Sequence, residues 1–112
     1  MSDGTNVLLV LTNVPDAASA DRVTKLVLES RAAACVNRLP ECASTHWWNG
    51  ALEHTIEIPL LIKTTRAAYP ALEATVRQAH PYEVPEIIAV PVVAGLPAYL
   101  AWVAGETCPA SV

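Results

Sequence analysis

Two hydrophobic rhythms alternate along this chain. Asn6 to Thr12 carries apolar side chains at adjacent positions (Val7-Leu8-Leu9-Val10-Leu11), the mark of a strand covered above and below. After an Asn13-Val14-Pro15-Asp16 turn the spacing changes: Ala20, Val23, Leu26 and Val27 recur at helical intervals, while Asp21, Arg22, Lys25 and Glu29 take the other side. That predicts a helix from about Ala17 to Ser30 with Asp16 as its N-cap. A second strand starts at Ala33–Val36, is interrupted at Leu39-Pro40-Glu41 and resumes through Thr45-His46-Trp47-Trp48. Asn49-Gly50 then signals a hairpin, because both residues tolerate positive φ.

The return strand is predicted from Leu52 to Thr64. Ile56, Ile58, Leu60 and Ile62 alternate with Glu57, Pro59, Leu61 and Lys63, so one face is apolar and the other mixed. Pro59 has no N–H for the ladder, which implies a bulge or an edge there. A second helix is expected to open at Thr64-Thr65-Arg66, with Pro70 in its first turn and Tyr69, Leu72, Val76 and Ala79 along one side. His80-Pro81 ends it. A buried strand from Ile87 to Val93 and a short helix from Pro97 to Val103 complete the order, and residues from 105 onward are expected to be a loose tail. Strand, helix, strand, strand, helix, strand is the α+β, ferredoxin-like βαββαβ arrangement, here with a long central hairpin and a C-terminal helix. Both helices then cover one sheet face. Since the first strand is apolar on both sides and no segment remains to cover the second face, copies of the chain are expected to pack sheet against sheet.

Composition points the same way. The chain has 112 residues, enough for one domain with a core at about 6–104, yet 53% are hydrophobic and only 16% charged. Ile87 to Gly105 is uncharged and long enough to cross a bilayer, but Pro91, Gly95 and Pro97 break it, and no membrane partner is expected. Met1-Ser2-Asp3-Gly4 lacks a basic region followed by an apolar core, so a cytosolic protein without signal peptide is expected. The net charge of −4 with scattered Lys and Arg argues against nucleic acid as a ligand. Cys35, Cys42 and Cys108 lack the paired spacing of a zinc or redox motif.

The densest polar stretch is His80-Pro81-Tyr82-Glu83-Val84-Pro85-Glu86. Prolines four apart stiffen it and push each preceding residue out of helical geometry. Together with Ala33-Ala34-Cys35-Val36-Asn37, Trp48-Asn49-Gly50, Glu57 and Lys63-Thr64-Thr65, it resembles the CutA family of divalent-cation tolerance proteins, from about Val7 to Trp102. The resemblance implies a homotrimer of ferredoxin-like subunits, an architecture shared with PII-type signalling proteins, and an association with metal tolerance and copper. Members credited with copper carry a Cys at the end of the first strand and a His-His pair before the Pro-Tyr. Here those positions hold Thr12 and Ala79-His80, so His80 is the one surviving candidate ligand for copper or another divalent cation.

Around His80 the family-matching positions supply Trp48, Glu57, Lys63, Tyr82 and Glu86. Glu57 and Lys63 are an even number of residues apart on one strand, so they share a face opposite the isoleucines. The expectation is a polar cleft at each subunit seam that takes a metal ion or small ligand, with an interfacial salt bridge alone as the plainer reading. His46 and His54, near the hairpin tip, are expected to be solvated. Ser19, Ser30 and Ser44 lack the setting of a nucleophile, and no Gly-rich phosphate loop is present, so catalysis is not expected. The two functions left are divalent-cation tolerance and a PII-like signalling or adaptor module that binds a small molecule or a partner protein.

Overall fold

A computed structural model describes residues 5–108. Its elements run β1 (Val7–Val14), α1 (Ala17–Glu29), β2 (Cys35–Arg38), β3 (Cys42–Trp48), β4 (Ala51–Thr65), α2 (Tyr69–Ala79), β5 (Ile88–Pro91) and α3 (Pro97–Glu106). The sheet is antiparallel throughout, in the order β2-β4-β1-β5, and β3 continues the β2 edge along β4.

Local chemistry sets the boundaries. Asp16 is extended and its carboxylate accepts from the Ser19 N–H at 2.8 Å, which starts α1 as expected. The helix ends where Arg31 turns left-handed (φ 61°) and the N–H groups of Ala32 and Ala33 return to the Val27 carbonyl. Asn49 and Gly50 both have positive φ, 50° and 81°, the turn that joins β3 to β4 with matching twist. Thr64 and Thr65 stay in β4 rather than opening α2, because β1 offers them Leu8 and Val7 as ladder partners. The helix starts at Tyr69, with Pro70 in its first turn.

Pro59 shows how a long strand carries a proline. Arg38 pairs with Leu60 and Cys42 with Glu57, so Leu39-Pro40-Glu41 oppose only Ile58 and Pro59. The bulge therefore lies in the facing strand, and β4 itself runs straight through. Pro59 accepts from the Leu39 N–H at 3.0 Å, and its missing donor points at the irregular segment, where no regular acceptor is lost.

The core lies between the sheet and α1 and α2. Leu8, Val10 and Val14 of β1 and Ile58, Leu60 and Ile62 of β4 meet Ala20, Val23 and Val27 of α1 and Leu72 and Val76 of α2. Two residues expected in apolar stripes are not there: Leu26 is 39% exposed, at the rim of α1, and Ile56 is 57% exposed, beyond the reach of the helices on the projecting part of β4. β5 differs more. It is an edge strand with Ile88 52% and Val90 44% exposed rather than buried. By register, these two stand beside Leu11 and Leu9, and Leu11 and Leu9 beside Leu61 and Lys63, all on the face away from α1 and α2. α3 is longer than expected, reaching Glu106, and buries Val103 against the body of the domain. The helix thus takes in residues 105 and 106 of the expected tail, with an Arg31–Glu106 ion pair at 2.7 Å, and the tail's last residues, 109–112, lie outside the described ones. So does the Met1–Gly4 segment. The apolar run of Ile87 to Gly105 is divided between β5 and α3, and among the described residues no helix is long and apolar enough to cross a membrane.

Candidate functional site

The β3–β4 hairpin and the segment after α2 enclose a cleft of about 710 Å³. Alternation along the hairpin builds one wall. Ser44, His46 and Trp48 point to the same side of β3, and their neighbours on β4, Thr55 and Glu53, point with them; Glu57 follows next on that face. Pro81, Tyr82, Glu83, Val84 and Glu86 form the other wall, and Asn13 at the end of β1 closes the base.

His80 holds this second wall in place. Pro81 forces it into extended geometry (φ −79°, ψ 136°), ending α2. Its imidazole is 6% exposed and uses both nitrogens: Nε2 donates to the Asn13 carbonyl at 2.6 Å, and Nδ1 accepts the Tyr82 N–H at 3.1 Å. Since a carbonyl can only accept, the proton sits on Nε2 and the ring is neutral. The Tyr82 ring tilts over the imidazole at 4.8 Å between centroids, and its hydroxyl donates to Glu57 Oε2 at 3.0 Å. Burial pushes the Tyr82 phenol up to about 12, assisted by the hydrogen bond to Glu57, by the charge of that carboxylate and by Asp16.

Glu57 is 6% exposed, and its one hydrogen-bond partner among the described residues is this neutral phenol. The ion pairs among those residues are Arg31–Glu106 and Arg38–Asp21, neither in the cleft. Lys63, expected beside Glu57, shares its sheet face but lies six residues further along β4, about 20 Å away, opposite Cys35, and donates to Asn37 instead. The cleft thus gathers Trp48, Glu57, Tyr82 and Glu86, leaves Lys63 outside, and has His80 behind its wall.

It also recruits residues not singled out from the sequence, Asn13, Glu53, Thr55 and Glu83, and takes in His46, which is exposed as expected while lining the cleft. His54 faces away and meets Thr45 Oγ1 at 3.1 Å. The signal for Glu53 and Thr55 was present in the two-residue alternation that leads to Glu57. Asn13 could not be found that way, because its role depends on a contact 67 positions away.

For a metal ion the donor set is specific. The His80 lone pair is occupied by the Tyr82 N–H, Ala79 has no donor, and Thr12 is fully buried with a hydroxyl that has no partner among the described residues. These positions do not fit a copper centre, which needs free nitrogen or sulfur donors. Among the described residues no three His, Cys, Asp or Glu side chains converge on one point. The cleft instead offers the dispersed carboxylates of Glu53, Glu57, Glu83 and Glu86, with no Lys or Arg in its lining.

A small α+β domain with an acidic, aromatic cleft under its hairpin is the class of protein that fold and site define. The chain belongs to a known family: residues 8–106 match the family described as CutA1 divalent ion tolerance protein. The Divalent-cation tolerance protein CutA of Thermus thermophilus is 41% identical over 99 residues, 88% of this chain and 96% of that one. The mouse Protein CutA is 42% identical over 98 residues, 88% of this chain, and this chain spans only 55% of the mouse protein's length. Among solved structures, CutA from Xylella fastidiosa superposes with a TM-score of 0.90 at 41% identity, over 93% of this chain and 100% of that one. The family description names a tolerance protein and no reaction.

One expectation is corrected by a relative. The CutA of Archaeoglobus fulgidus, 30% identical with a TM-score of 0.87 over 90% of this chain and 98% of that one, is described as a periplasmic divalent cation tolerance protein. The cytosolic assignment rested on the character of residues 1–4, which lie outside the described ones, and it does not stand against a relative placed outside the cytosol.

Proposed function

We propose that this protein serves divalent-cation tolerance by binding ions weakly and reversibly, without catalysis, as a homotrimer of ferredoxin-like subunits. The observation that carries the reading is the lining of the cleft, with four carboxylates and, among the described residues, no Lys or Arg. Like charges in a cleft with partly apolar walls focus a negative potential and concentrate cations there. Carboxylate, carbonyl and water oxygens are hard donors suited to magnesium, calcium or manganese more than to copper. Because the carboxylates are dispersed over β4 and the 81–86 segment, the ion keeps much of its water and exchanges readily. His80 serves as the bracket that sets Tyr82 and the loop, not as a ligand.

The trimer is supported by surface that one copy leaves uncovered. Leu9, Leu11, Leu61, Ile88 and Val90 share the sheet face opposite α1 and α2, and Trp47, Leu52 and Ile56 are 71%, 53% and 57% exposed on the hairpin. The radius of gyration of 14.7 Å exceeds the value of about 13 Å for a compact chain of this length, as a projecting arm requires. Copies that bury both surfaces bring a neighbour to the rim of each cleft.

Equilibrium dialysis against Mn²⁺ and Cu²⁺ tests the reading on the wild type, Glu57→Gln, Glu86→Gln and His80→Gln. Mn²⁺ binding is expected to weaken in both glutamate variants and to persist in His80→Gln. Binding lost with His80 and indifferent to both glutamates would overturn it.

A further inference from the structure

The size of the cleft and the nature of its walls point beyond a metal ion. A divalent ion with six waters occupies about 200 Å³, whereas the cleft offers about 710 Å³, within the range typical of small organic ligands. Carboxylates alone would suit any cation, but two further features narrow the choice. The first is aromatic: Trp48 and Tyr82 both line the cleft, and the Tyr82 ring is fixed in advance by its hydroxyl bond to Glu57 and its contact with His80. Ring faces attract ammonium and guanidinium groups and offer nothing to a tightly hydrated ion. The second is unmet hydrogen-bonding capacity on the β4 wall. Glu57 is buried as a carboxylate with a neutral phenol as its partner, and the Thr55 hydroxyl, two residues away on the same face, is buried with no partner among the described residues. A buried anion and a buried hydroxyl left this way are costly unless a donor reaches them. An N–H-rich cation supplies what both lack.

We propose that the cleft between the β3–β4 hairpin and the 81–86 segment is a binding site for a small organic cation, an amine or a guanidinium, with Glu57 as its counter-ion. Trp48 and Tyr82 flank the cationic head, and Thr55 accepts one of its N–H groups. Glu53 and Glu86, nearer the mouth, attract it and engage a second positive group where the ligand carries one. The proposal rests on the reading of this cleft as the cation-binding region, but it concerns a different ligand class and stands or falls by its own measurement.

Agmatine, with a guanidinium at one end and an ammonium at the other, is the probe, and N-butylurea is its uncharged counterpart. Calorimetry is run on the full chain, with a Mn²⁺ titration in parallel. Agmatine is expected to give saturable heat and N-butylurea none. Glu57→Gln should weaken agmatine about tenfold or more, the loss of a charged hydrogen-bond partner, and Trp48→Leu, at an exposed position that folding does not need, about threefold. Glu86→Gln, also exposed, is the control should Glu57→Gln fail to fold, and should weaken agmatine by a few-fold in a salt-dependent way. No saturable heat with agmatine at about 10 mM, or affinity untouched by Trp48→Leu and Glu86→Gln, overturns the proposal. So does a Glu57→Gln protein that sediments as a smaller species while agmatine is silent, since a basic side chain of a neighbouring copy would then be the occupant. Mn²⁺ bound without agmatine removes only this proposal; agmatine bound without Mn²⁺ removes only the divalent-ion reading.

Discussion

His80 Nε2 and the Asn13 carbonyl lie 2.6 Å apart, and through that bond the end of α2 is fastened to the end of β1. The same ring takes the Tyr82 N–H on its other nitrogen, and Tyr82 reaches on to Glu57. Four residues from β1, β4 and the loop after α2 are thereby linked in one chain of hydrogen bonds. A neutral imidazole suits this place because it donates on one side and accepts on the other.

Removing that ring should cost stability more than it costs ion binding. His80→Ala leaves the Asn13 carbonyl and the Tyr82 N–H without their partner. The expected loss is about 1–3 kcal/mol, seen as a lower urea midpoint at unchanged slope. The comparison is made at fixed protein concentration, because the proposed association would contribute to apparent stability. A midpoint equal to wild type would show that water replaces the imidazole at no cost.

The Tyr82–Glu57 contact makes a pH prediction whose sign follows from the phenol. Its folded value, about 12, lies above the ordinary value of 10.0, chiefly through burial and then through the bond to Glu57. The folded state therefore holds this proton more tightly than the unfolded chain. The contribution is complete below pH 10 and is lost as pH rises from 10 to 12. Measured as the difference between wild type and Tyr82→Phe, stability should be flat below that window and shrink across it. A constant difference at all pH values would show that the hydroxyl does not stay bonded to the carboxylate.

At the hairpin tip the backbone alone decides. Gly50 has φ 81°, and a Cβ placed there would meet nothing within 4 Å. Gly50→Ala is thus free of clashes and should lower stability by about 1 kcal/mol through left-handed strain alone. Thermal unfolding checks this, and Gly50→Asn, which tolerates that conformation, should recover most of the loss.

What could be read from residues alone was whatever depends on near neighbours. Asp16 as a cap, Asn49-Gly50 as the turn and the two faces of β4 are local, and each is present where the pattern puts it. Glu57, Trp48, Tyr82 and Glu86 stand out in the sequence through the family resemblance, and strand alternation and a proline-stiffened loop bring them to one cleft. Lys63 shares the face of Glu57 as its parity indicates, but parity says nothing about distance along a strand, and within one copy the two lie far apart. β5 reads as buried in the sequence because an apolar run looks the same at an edge as at a centre, and only pairing tells them apart. The hold of His80 on Asn13 was beyond local reasoning for a related cause: a neutral ring with two satisfied nitrogens and a free ligand are the same letter.

Leu60 and Leu61 put the assembly to the test from adjacent positions. Leu60 is fully buried against α1 and α2, and Leu61 faces the other way, beside Leu11 on the open face. Leu60→Ala should cost about 2–5 kcal/mol by leaving a cavity in the core. Leu61→Lys, by contrast, puts a charge where a second copy is proposed to pack, and burying it there is prohibitive. Its expected effect is on sedimentation, with the proposed trimer giving way to a smaller folded species whose far-UV circular dichroism is unchanged. Both variants are needed, since a loss of trimer on core damage alone is uninformative. Leu61→Lys sedimenting as wild type would mean that the open face is not where copies meet, and the sheet-to-sheet arrangement would have to be abandoned.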